Sequence, residues 1–336
     1  MKQKLLFLLV LLLTATTGTW AQEPTTYAVK MANATDAEAT NWTIASGQSS
    51  VKGNVADGLT GLSEGAEVTV SYTGRMKVKS VTATTDVLLP TDLSKLTAAY
   101  TAQDGEILTG TTSQEISIAE GATVTLKNAT VNNRIKCLGT ATIILADGST
   151  NAVKASDYCA GIQIGGEGTT LTINAETAGT GSLTATGGDQ ATGIGTGSTS
   201  TSAVTGGNIV INGGTITANA GTLYGAGIGT GIANSYNNTC GSITINGGTV
   251  TATGGAGGSG IGTGLVSKAT NTCGAISITG GTVTANKGSS GGTFYSIGIG
   301  KVLNNGTQTC GTITIGGQQK DQSEFTGATY TYPPSN

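Results

Sequence analysis

The pattern of hydrophobic and polar positions is most regular between residues 207 and 311. Here short runs of alternating apolar and polar residues are separated by pairs of glycines, as in residues 243–245 and 249–253. Alternation with a period of two is typical of a β-strand that buries one face, and no window keeps the spacing of an amphipathic helix. This stretch is therefore predicted to contain short β-strands joined by glycine-rich turns.

The same pattern recurs in this stretch at a nearly fixed period. Its opening glycines lie 34, 33 and 37 residues apart, at Gly207, Gly241, Gly274 and Gly311. A fixed period of this size with strand-like content indicates a solenoid of stacked repeats. Three short strands in each copy, each followed by a glycine-rich corner, predict one coil of a right-handed parallel β-helix.

Less regular copies of the pattern extend this solenoid over residues 98–336. We expect about six coils plus a partial one, with atypical coils at both ends where a repeat stack must be capped. The first coil is predicted to span residues 106–138. The tail from Gln318, which carries Phe325, Tyr330 and Tyr332, is predicted to close the C-terminal end.

The residues ahead of the solenoid have a different pattern and are predicted to form a small, β-sandwich-like all-β module at residues 22–85. Its strands are expected at residues 27–31, 42–44, 67–72 and 77–83. Trp42 and Tyr72 are expected in its core, because large aromatic side chains are usually buried. Residues 86–97, which include Pro90, are expected to be a linker.

The first 21 residues read as a secretory signal peptide. Lys2 and Lys4 precede the apolar run of residues 5–13, and Ala21 offers a cleavage site before Gln22. The apolar run is too short for a transmembrane helix, which needs about 20 residues. We therefore expect an exported protein, secreted or held at the outer cell surface, with no membrane span.

Composition and net charge exclude further classes of protein. Charged residues make up 10% of the chain, its formal net charge is −3, and it contains no histidine. That balance argues against nucleic-acid binding, which needs a concentrated basic patch. With 55 glycines but only 4 prolines and no three-residue period, the chain is not collagen-like.

Catalysis is not expected from the distribution of ionisable residues. Glycoside hydrolysis normally needs two carboxylates beside the scissile bond, and no Asp or Glu occurs between Asp189 and Asp321. The remaining candidates lie in corners and loops of earlier coils, where Asp157 and Glu167 are close enough in sequence to approach each other. Without histidine there is no imidazole base and no Ser-His-Asp triad. We expect no enzyme activity, no cofactor and no metal site.

Two sets of aligned polar residues have structural explanations. Asn174, Asn212 and Asn246 recur at one corner, where stacked amides bond to one another. Cys240, Cys273 and Cys310 also align. Export permits disulfides, but three stacked cysteines cannot all pair, and a column of buried thiols is favoured over a disulfide.

The candidate ligand-binding residues are tyrosines and loop asparagines. Tyr158, Tyr224 and Tyr295 are predicted to stack in alternate coils, about 9.6 Å apart, close to the length of a disaccharide. Tyrosine rings can stack on sugar rings, although they can equally cover a loop. Amides suited to sugar hydroxyls lie in the loops 232–239, 265–272 and 302–309, at Asn234, Asn237, Asn238, Asn271, Asn304 and Asn305. The alternative is that these loops are only polar surface.

Several segments resemble secreted β-helix proteins of gut Bacteroidetes. They are GSITINGGTVTATGG…GIGTG in residues 241–264, the segment 100–151, and GRMKVKSVTATT in residues 74–85. Proteins of that group are usually described as carbohydrate-binding-domain-containing or of unknown function. The resemblance implies a right-handed β-helix, export and a glycan partner. Calcium-associated polysaccharide binding is known in a related β-helix family, but the acidic residues that bind its metal have no match here.

Three functions are therefore considered. The leading hypothesis is an exported, non-catalytic β-helix that binds carbohydrate or acts as a surface adhesin. The second is a structural scaffold that self-associates by end-to-end stacking. A polysaccharide lyase or hydrolase is a distant third.

Overall fold

The computed structural model describes residues 27–31, 42–52, 58–63, 66–72, 80–83, 87–156, 158–198 and 202–333. In these residues the regular structure is β-strand, apart from two short 3-10 helices at Leu93–Lys95 and Gln322–Phe325. No helix in this part of the chain is long and apolar enough to cross a membrane. The predicted signal peptide lies outside the described residues.

The N-terminal residues form two small sheets. Their strands are β1 (Tyr27–Met31), β2 (Trp42–Ser46), β3 (Ser49–Lys52), β4 (Leu59–Leu62), β5 (Ala66–Tyr72), β6 (Ser80–Ala83) and β7 (Val87–Leu89). One sheet has the order β4-β1-β7 and the other β3-β2-β5-β6. Trp42 pairs with Tyr72 across β2 and β5, but their side chains lie outside the described part of the structure. Ile44 and Val68 are fully buried in the same sheet.

The expected linker is partly regular structure. Strand β7 pairs with β1, and the following strand, β8 (Thr91–Asp92), pairs with β10 (Ile107–Thr112) of the solenoid. The 3-10 helix between β8 and the solenoid buries Leu93 completely. The two parts of the chain are therefore joined by paired strands rather than by an irregular segment.

The rest of the chain is a parallel β-helix. Its further strands are β9 (Tyr100–Ala102), β11 (Ile116–Ile118), β12 (Thr123–Val131), β13 (Ile135–Cys137), β14 (Ala141–Leu145), β15 (Thr150–Lys154), β16 (Ile162–Gln163), β17 (Thr170–Ala175), β18 (Ser182–Thr186), β19 (Ile194–Gly195), β20 (Val204–Thr205), β21 (Asn208–Ile211), β22 (Thr215–Asn219), β23 (Ile228–Gly229), β24 (Asn238–Cys240), β25 (Ile243–Ile245), β26 (Thr249–Thr253), β27 (Ile261–Gly262), β28 (Thr270–Cys273), β29 (Ile276–Ile278), β30 (Thr282–Asn286), β31 (Ile297–Gly298), β32 (Thr307–Cys310), β33 (Ile313–Ile315), β34 (Gln318–Lys320) and β35 (Thr329–Tyr332).

These strands stack into three faces and a side sheet. The first face contains β12, β14, β17, β21, β25, β29 and β33, and the second contains β15, β18, β22, β26 and β30. The third face is an eight-stranded sheet of β9, β11, β13, β16, β19, β23, β27 and β31. The side sheet contains β20, β24, β28 and β32. The later coils therefore have four strands each, one more than the sequence pattern predicts.

The coil count also differs from the prediction. The expected first coil contains two coils, β10 with β11 and β12 with β13. Strand β10 pairs with β12 in the first-face sheet, with one register shift between Leu108 and Gly110, and β11 pairs with β13 in the third face. Strand β12 pairs with β14 through its first half and with β15 through its last residues. One long strand therefore bends across two faces, and the corner that marks a coil in the later repeats is absent.

Columns of aliphatic side chains fill the interior. Two columns expected from the sequence are in register on the first and second faces, at Ile173, Ile211, Ile245, Ile278 and Ile315 and at Leu183, Ile216, Val250 and Val283. The third face adds Ile162, Ile194, Ile228, Ile261 and Ile297. Nearly all of these side chains are fully buried. Burial at this density supplies the main drive for folding.

The Asn corner joins the first and second faces and is held by a ladder of side-chain amides. Asn212 Nδ2 donates to Asn174 Oδ1 at 2.8 Å, and Asn246 Nδ2 donates to Asn212 Oδ1 at 2.9 Å. Thr279 Oγ1 continues the ladder to Asn246 at 2.8 Å. The structural role expected for the stacked asparagines is confirmed.

The C-terminal end of the stack is covered. Strand β34 runs antiparallel to β33, and β35 runs antiparallel to β30. Phe325, from the second 3-10 helix, is 1% exposed and contacts Tyr330 edge-on, with 4.9 Å between ring centroids. Antiparallel strands and this helix occupy the positions that the next parallel coil would take.

The Gly-Ile-Gly motif follows from close contact between coils on the third face. Gly229 has φ +133°, and a Cβ built there would collide with the carbonyl oxygen of Gly262 in the next coil. Only glycine combines that backbone conformation with so close an approach. The glycine that follows Ile194, Ile228 and Ile261 is therefore a packing requirement.

We expect Gly229→Ala to destabilise the protein by at least about 2 kcal/mol, because it adds both backbone strain and a collision with the next coil. Gly166→Ala is the matched control, since a Cβ at Gly166 meets no atom within 4 Å. Urea or thermal unfolding of the two variants measures the difference. Equal stability of the two variants would contradict this account of the motif.

Candidate functional site

Tyr158, Gln190 and Tyr224 occupy equivalent positions in three successive coils, between the second and third faces. We call these residues the tyrosine row. Their φ angles are +67°, +68° and +66°. Each carbonyl oxygen accepts a hydrogen bond of 2.7–3.0 Å from the segment after the third-face strand of the next coil, at Ser198, Ile232 and Leu265 respectively. The same geometry continues at Gly257, whose carbonyl accepts from Lys301.

The left-handed backbone of the tyrosine row is costly for residues other than glycine. Such a conformation costs on the order of 1 kcal/mol or more for a side chain with a Cβ. Gly257 adopts φ +85° at the equivalent position of the next coil, so the coil needs the conformation but not a side chain. The tyrosine rings are therefore not explained by the backbone geometry of the corner.

The row presents its side chains at the surface. Tyr158 is 51% exposed, and Tyr224 is half-buried. They lie two coil steps apart, which corresponds to about 9.6 Å at the spacing of stacked strands. Gln190 lies between them and accepts a hydrogen bond from Ser198 Oγ at 3.4 Å. Beside Gln190, the hydroxyl of Thr222 donates to the carboxylate of Asp189. Aromatic, amide, hydroxyl and carboxylate groups thus converge along one edge.

Tyr295 does not belong to this row, and the prediction that it stacks with the other two tyrosines is wrong. Its N–H donates to the carbonyl of Ile299, a bond that Ser259 makes to Thr263 in the preceding coil. Tyr158 and Tyr224 each lie four residues before a third-face isoleucine, whereas Tyr295 lies two residues before one. Its side chain is half-buried and packs against the core.

Asn238 and Asn271 are interior residues, which corrects their assignment as ligand contacts. Both are 0% exposed. Asn238 Oδ1 accepts from Thr196 Oγ1 at 2.7 Å, and its Nδ2 donates to the carbonyls of Gly197 and Ile232 at 2.9 and 3.2 Å. With every polar group bonded inside the coil, neither amide is available to a ligand at the surface.

The interior amides form a repeated device that holds the loops after the third face. Asn271 Oδ1 accepts from Thr230 Oγ1 at 2.6 Å, and its Nδ2 donates to Gly231 at 3.0 Å. Gln308 takes the same position in the next coil and accepts from the Thr263 hydroxyl. The alternation of strands β24, β28 and β32 decides this orientation, because cysteine and amide side chains both point inward.

The other four candidate loop asparagines are exposed, as expected, at Asn234, Asn237, Asn304 and Asn305. Asn237 Oδ1 accepts from the N–H of Thr270 at 3.0 Å, and Asn304 Nδ2 donates to Ser267 Oγ at 3.0 Å. These two amides therefore connect adjacent loops, and their remaining donors and acceptors face solvent. The loops leave the tyrosine row at Ile232 and Leu265, so row and loops form one edge of the solenoid.

All five cysteines are free thiols, at Cys137, Cys159, Cys240, Cys273 and Cys310. Cys240, Cys273 and Cys310 stack in register, as expected. A hydrogen bond with Cys240, partly offset by one with Cys310, raises the pKa of Cys273 well above its ordinary value, and burial adds to this. Burial raises the pKa of Cys137 to about 12. These thiols pack as small apolar groups.

Asp147 and Glu176 are engaged in local structure. Asp147 accepts backbone hydrogen bonds from Ala178 and Thr180, and Glu176 accepts one from Asp147. Asp157, the partner considered for Glu167 in the sequence, lies outside the described residues. Among the described residues, no group of three or more His, Cys, Asp or Glu could hold a metal ion.

Comparison with known proteins supports the fold. A family model described as a beta helix repeat matches residues 209–232 and 243–265. These segments cover strands of the first, second and third faces in two consecutive coils. No curated protein and no solved structure matches the chain.

The tyrosine row was only partly visible in the sequence. Gln190 was missed, although it lies four residues before Ile194, as Tyr224 does before Ile228. Counting back from the third-face isoleucines identifies the equivalent positions. The backbone conformation of the row, which distinguishes it from the other exposed residues, is visible only in the structure.

We expect Asn271→Ala to destabilise the protein by about 2–3 kcal/mol, because it leaves the buried Thr230 O–H without an acceptor and the Gly231 carbonyl without its donor. Asn234→Ala, at an exposed position of the neighbouring loop, is expected to change stability by less than about 0.5 kcal/mol. Denaturant unfolding compares the two. A neutral Asn271→Ala would contradict the interior role.

At pH 8 we expect iodoacetamide to leave Cys137 and Cys273 of the folded protein unmodified, because the thiolate is the reactive form and their raised pKa keeps them protonated. Cys159, which is partly exposed, should react first. Peptide mass spectrometry after timed labelling gives the order. Labelling in urea, where all five should react, is the control, and failure to label under those conditions would reveal a disulfide.

Proposed function

We propose that this protein is an exported, non-catalytic carbohydrate-binding protein that contacts its ligand through the tyrosine row. The observation that carries the proposal is the placement of Tyr158 and Tyr224 in a left-handed backbone position where Gly257 is equally compatible with the coil. Backbone strain that the fold does not require is concentrated at functional sites. In this protein the strained backbone conformation holds two tyrosines at one surface edge.

The spacing and chemistry of the row favour a glycan as the ligand. Aromatic rings supply flat apolar surfaces for the C–H faces of sugar rings, and their hydroxyl groups remain at the solvent side. The two tyrosines are about two strand spacings apart, close to the length of a disaccharide. Gln190, Thr222 and Asp189 add hydrogen-bonding groups between them. A linear oligosaccharide lying along the solenoid axis would meet both rings.

The exposed loop asparagines extend this edge. Asn234, Asn237, Asn304 and Asn305 are proposed as secondary contacts for a longer glycan, because their amides reach solvent beside the loops that leave the row. Adhesion to a glycan-covered surface is one use of such an edge. Export is proposed from the signal-peptide pattern of residues 1–21.

A non-catalytic role fits the distribution of carboxylates. Residues 190–320 contain no Asp or Glu, and among the described residues Asp189 is the acidic residue next to the row. It is bonded to Thr222, and a second carboxylate on the other side of a glycosidic bond is missing from the sequence of the following coils.

End-to-end assembly receives no comparable support. The antiparallel strands β34 and β35 and the buried Phe325 close the C-terminal end of the stack. A second copy cannot add a parallel coil there without displacing them.

The variant that tests the tyrosine row most directly combines Tyr158→Gly with Tyr224→Gly. Glycine suits the left-handed position, so we expect little change in the unfolding temperature. Binding to an immobilised glycan array should fall at least tenfold, because each stacking contact contributes about 1 kcal/mol. The readout is fluorescence of labelled mature protein on the array.

Two tyrosines outside the row serve as controls. Tyr236→Ala removes a ring that is 44% exposed in the loop of the secondary contacts Asn234 and Asn237, and binding of a short glycan that contacts only the row should be retained. Tyr295→Ala should lower stability because the ring packs on the core. Unchanged glycan binding in the double glycine variant would overturn the proposal.

A further inference from the structure

A cleft of about 740 Å³ opens at the Asn corner, between the first and second faces. It is separate from the tyrosine row, which lies between the second and third faces. Its polar lining consists of Thr125, Asn174, Glu176, Thr177 and Asn212, and Ile144 and Ala175 supply apolar surface. Gly179 of the same coil and the corner glycines Gly213, Gly214 and Gly248 of the following coils form the rest of the lining.

The cleft exists because one corner differs from those that follow it. After β17 the chain makes a loop at residues 176–181, whereas the next coils turn within Asn-Gly-Gly or Thr-Gly-Gly. The longer loop stands beside corners that have no side chains at Gly213, Gly214 and Gly248. The space left between loop and glycines is the cleft.

The loop is held in place by Asp147. Its carboxylate accepts from the N–H groups of Ala178 at 2.7 Å and Thr180 at 3.3 Å. In return, the N–H of Asp147 donates to Glu176 Oε2 at 2.8 Å, and Gly148 donates to the Thr180 hydroxyl at 2.8 Å. The wall of the cleft is thus fixed before any ligand arrives, which lowers the cost of binding.

The amide ladder ends in the cleft with an unused donor. Asn174 Oδ1 accepts from Asn212, but within the described part of the chain Asn174 Nδ2 has no acceptor. The residue paired with Asn174 in the preceding coil is Ile144, which cannot accept a hydrogen bond. Glu176 Oε1 likewise receives no hydrogen bond from the described residues. A hydrogen-bond donor (Asn174 Nδ2), an acceptor (Glu176 Oε1) and the apolar side chain of Ile144 therefore line the same cleft.

We infer that this cleft is a second ligand site and that it takes an uncharged sugar unit. Hydroxyl groups of a sugar both donate and accept, which matches Asn174 Nδ2, Glu176 Oε1 and the Thr177 hydroxyl. The C–H face of the ring would lie on Ile144. Glu176 is the one charged residue among the described residues that line the cleft. Because no Lys or Arg accompanies it there, uronic acids and sulfated sugars are repelled.

This inference is independent of the tyrosine row. The tyrosine row is proposed to recognise the length and the apolar ring faces of a glycan. The cleft is proposed to exclude negatively charged sugars. The two sites lie at different corners, so each is removed by variants that leave the other intact.

Asn212→Ala is the variant that tests the cleft. Asn246→Ala is its matched control, because Asn246 makes the same two kinds of ladder bond but does not line the cleft.

The test is native affinity electrophoresis of the mature protein in gels that contain xyloglucan, galactomannan, mixed-linkage β-glucan or polygalacturonate. We expect retardation by at least one of the three neutral polymers and none by polygalacturonate. Asn212→Ala should weaken the retardation about tenfold, and Asn246→Ala should leave it unchanged. Glu176→Gln, which keeps the shape of the loop, should permit retardation by polygalacturonate.

Hydrogen-exchange mass spectrometry on the same neutral polymer locates the binding. Residues 174–181 should become protected, and this protection should persist in the Tyr158→Gly, Tyr224→Gly variant. Equal behaviour of Asn212→Ala and Asn246→Ala, or loss of protection in the tyrosine variant, would overturn the cleft as a separate site. Loss of binding in Asn212→Ala with no effect of the tyrosine variant would instead overturn the row and leave the cleft. Absence of retardation by every neutral polymer contradicts the inference.

Discussion

Stacking of each coil on the next at the strand spacing is the constraint on which this structure depends. Parallel strands in register place every side chain about 4.8 Å from its equivalent in the adjacent coil. Aliphatic residues such as Ile245 therefore form continuous buried columns, and amides such as Asn212 form ladders. The same constraint excludes a Cβ at Gly229, where the carbonyl of the next coil comes too close. One geometric rule thus accounts for the apolar, amide and glycine positions of the repeat.

Positions that depart from the repeat are informative because the repeat itself is so restrictive. Tyr158 and Tyr224 place rings at a corner whose backbone suits glycine, as Gly257 shows in the next coil. The loop at residues 176–181 replaces a tight glycine corner and leaves a cleft beside it. Both departures create surface features at different corners of one rigid stack. A solenoid of this kind separates its scaffold from its recognition surfaces, since the scaffold repeats and the surfaces do not.

Much of the candidate site was predictable, and the errors have specific physical causes. Tyr158 and Tyr224 lie at equivalent positions in alternate coils, as predicted, because each lies four residues before a third-face isoleucine. Tyr295 was misplaced since it lies only two residues before Ile297. Asn238 and Asn271 looked like loop residues, but the segment around each is a strand of the side sheet, and strand alternation turns both amides inward. Their amide oxygens accept hydrogen bonds from the hydroxyls of Thr196 and Thr230 rather than from water.

The sequence by itself determined the parallel β-helix, the buried columns and the stacked thiols, because period and alternation are local properties that a repeat copies from coil to coil. Only the tertiary structure decided the fourth strand of the later coils, the division of the first predicted coil into two, and the inward direction of Asn271. It alone revealed the left-handed corner of the tyrosine row and the cleft beside Glu176. These features depend on contacts between neighbouring coils, and such contacts are not encoded in any single repeat.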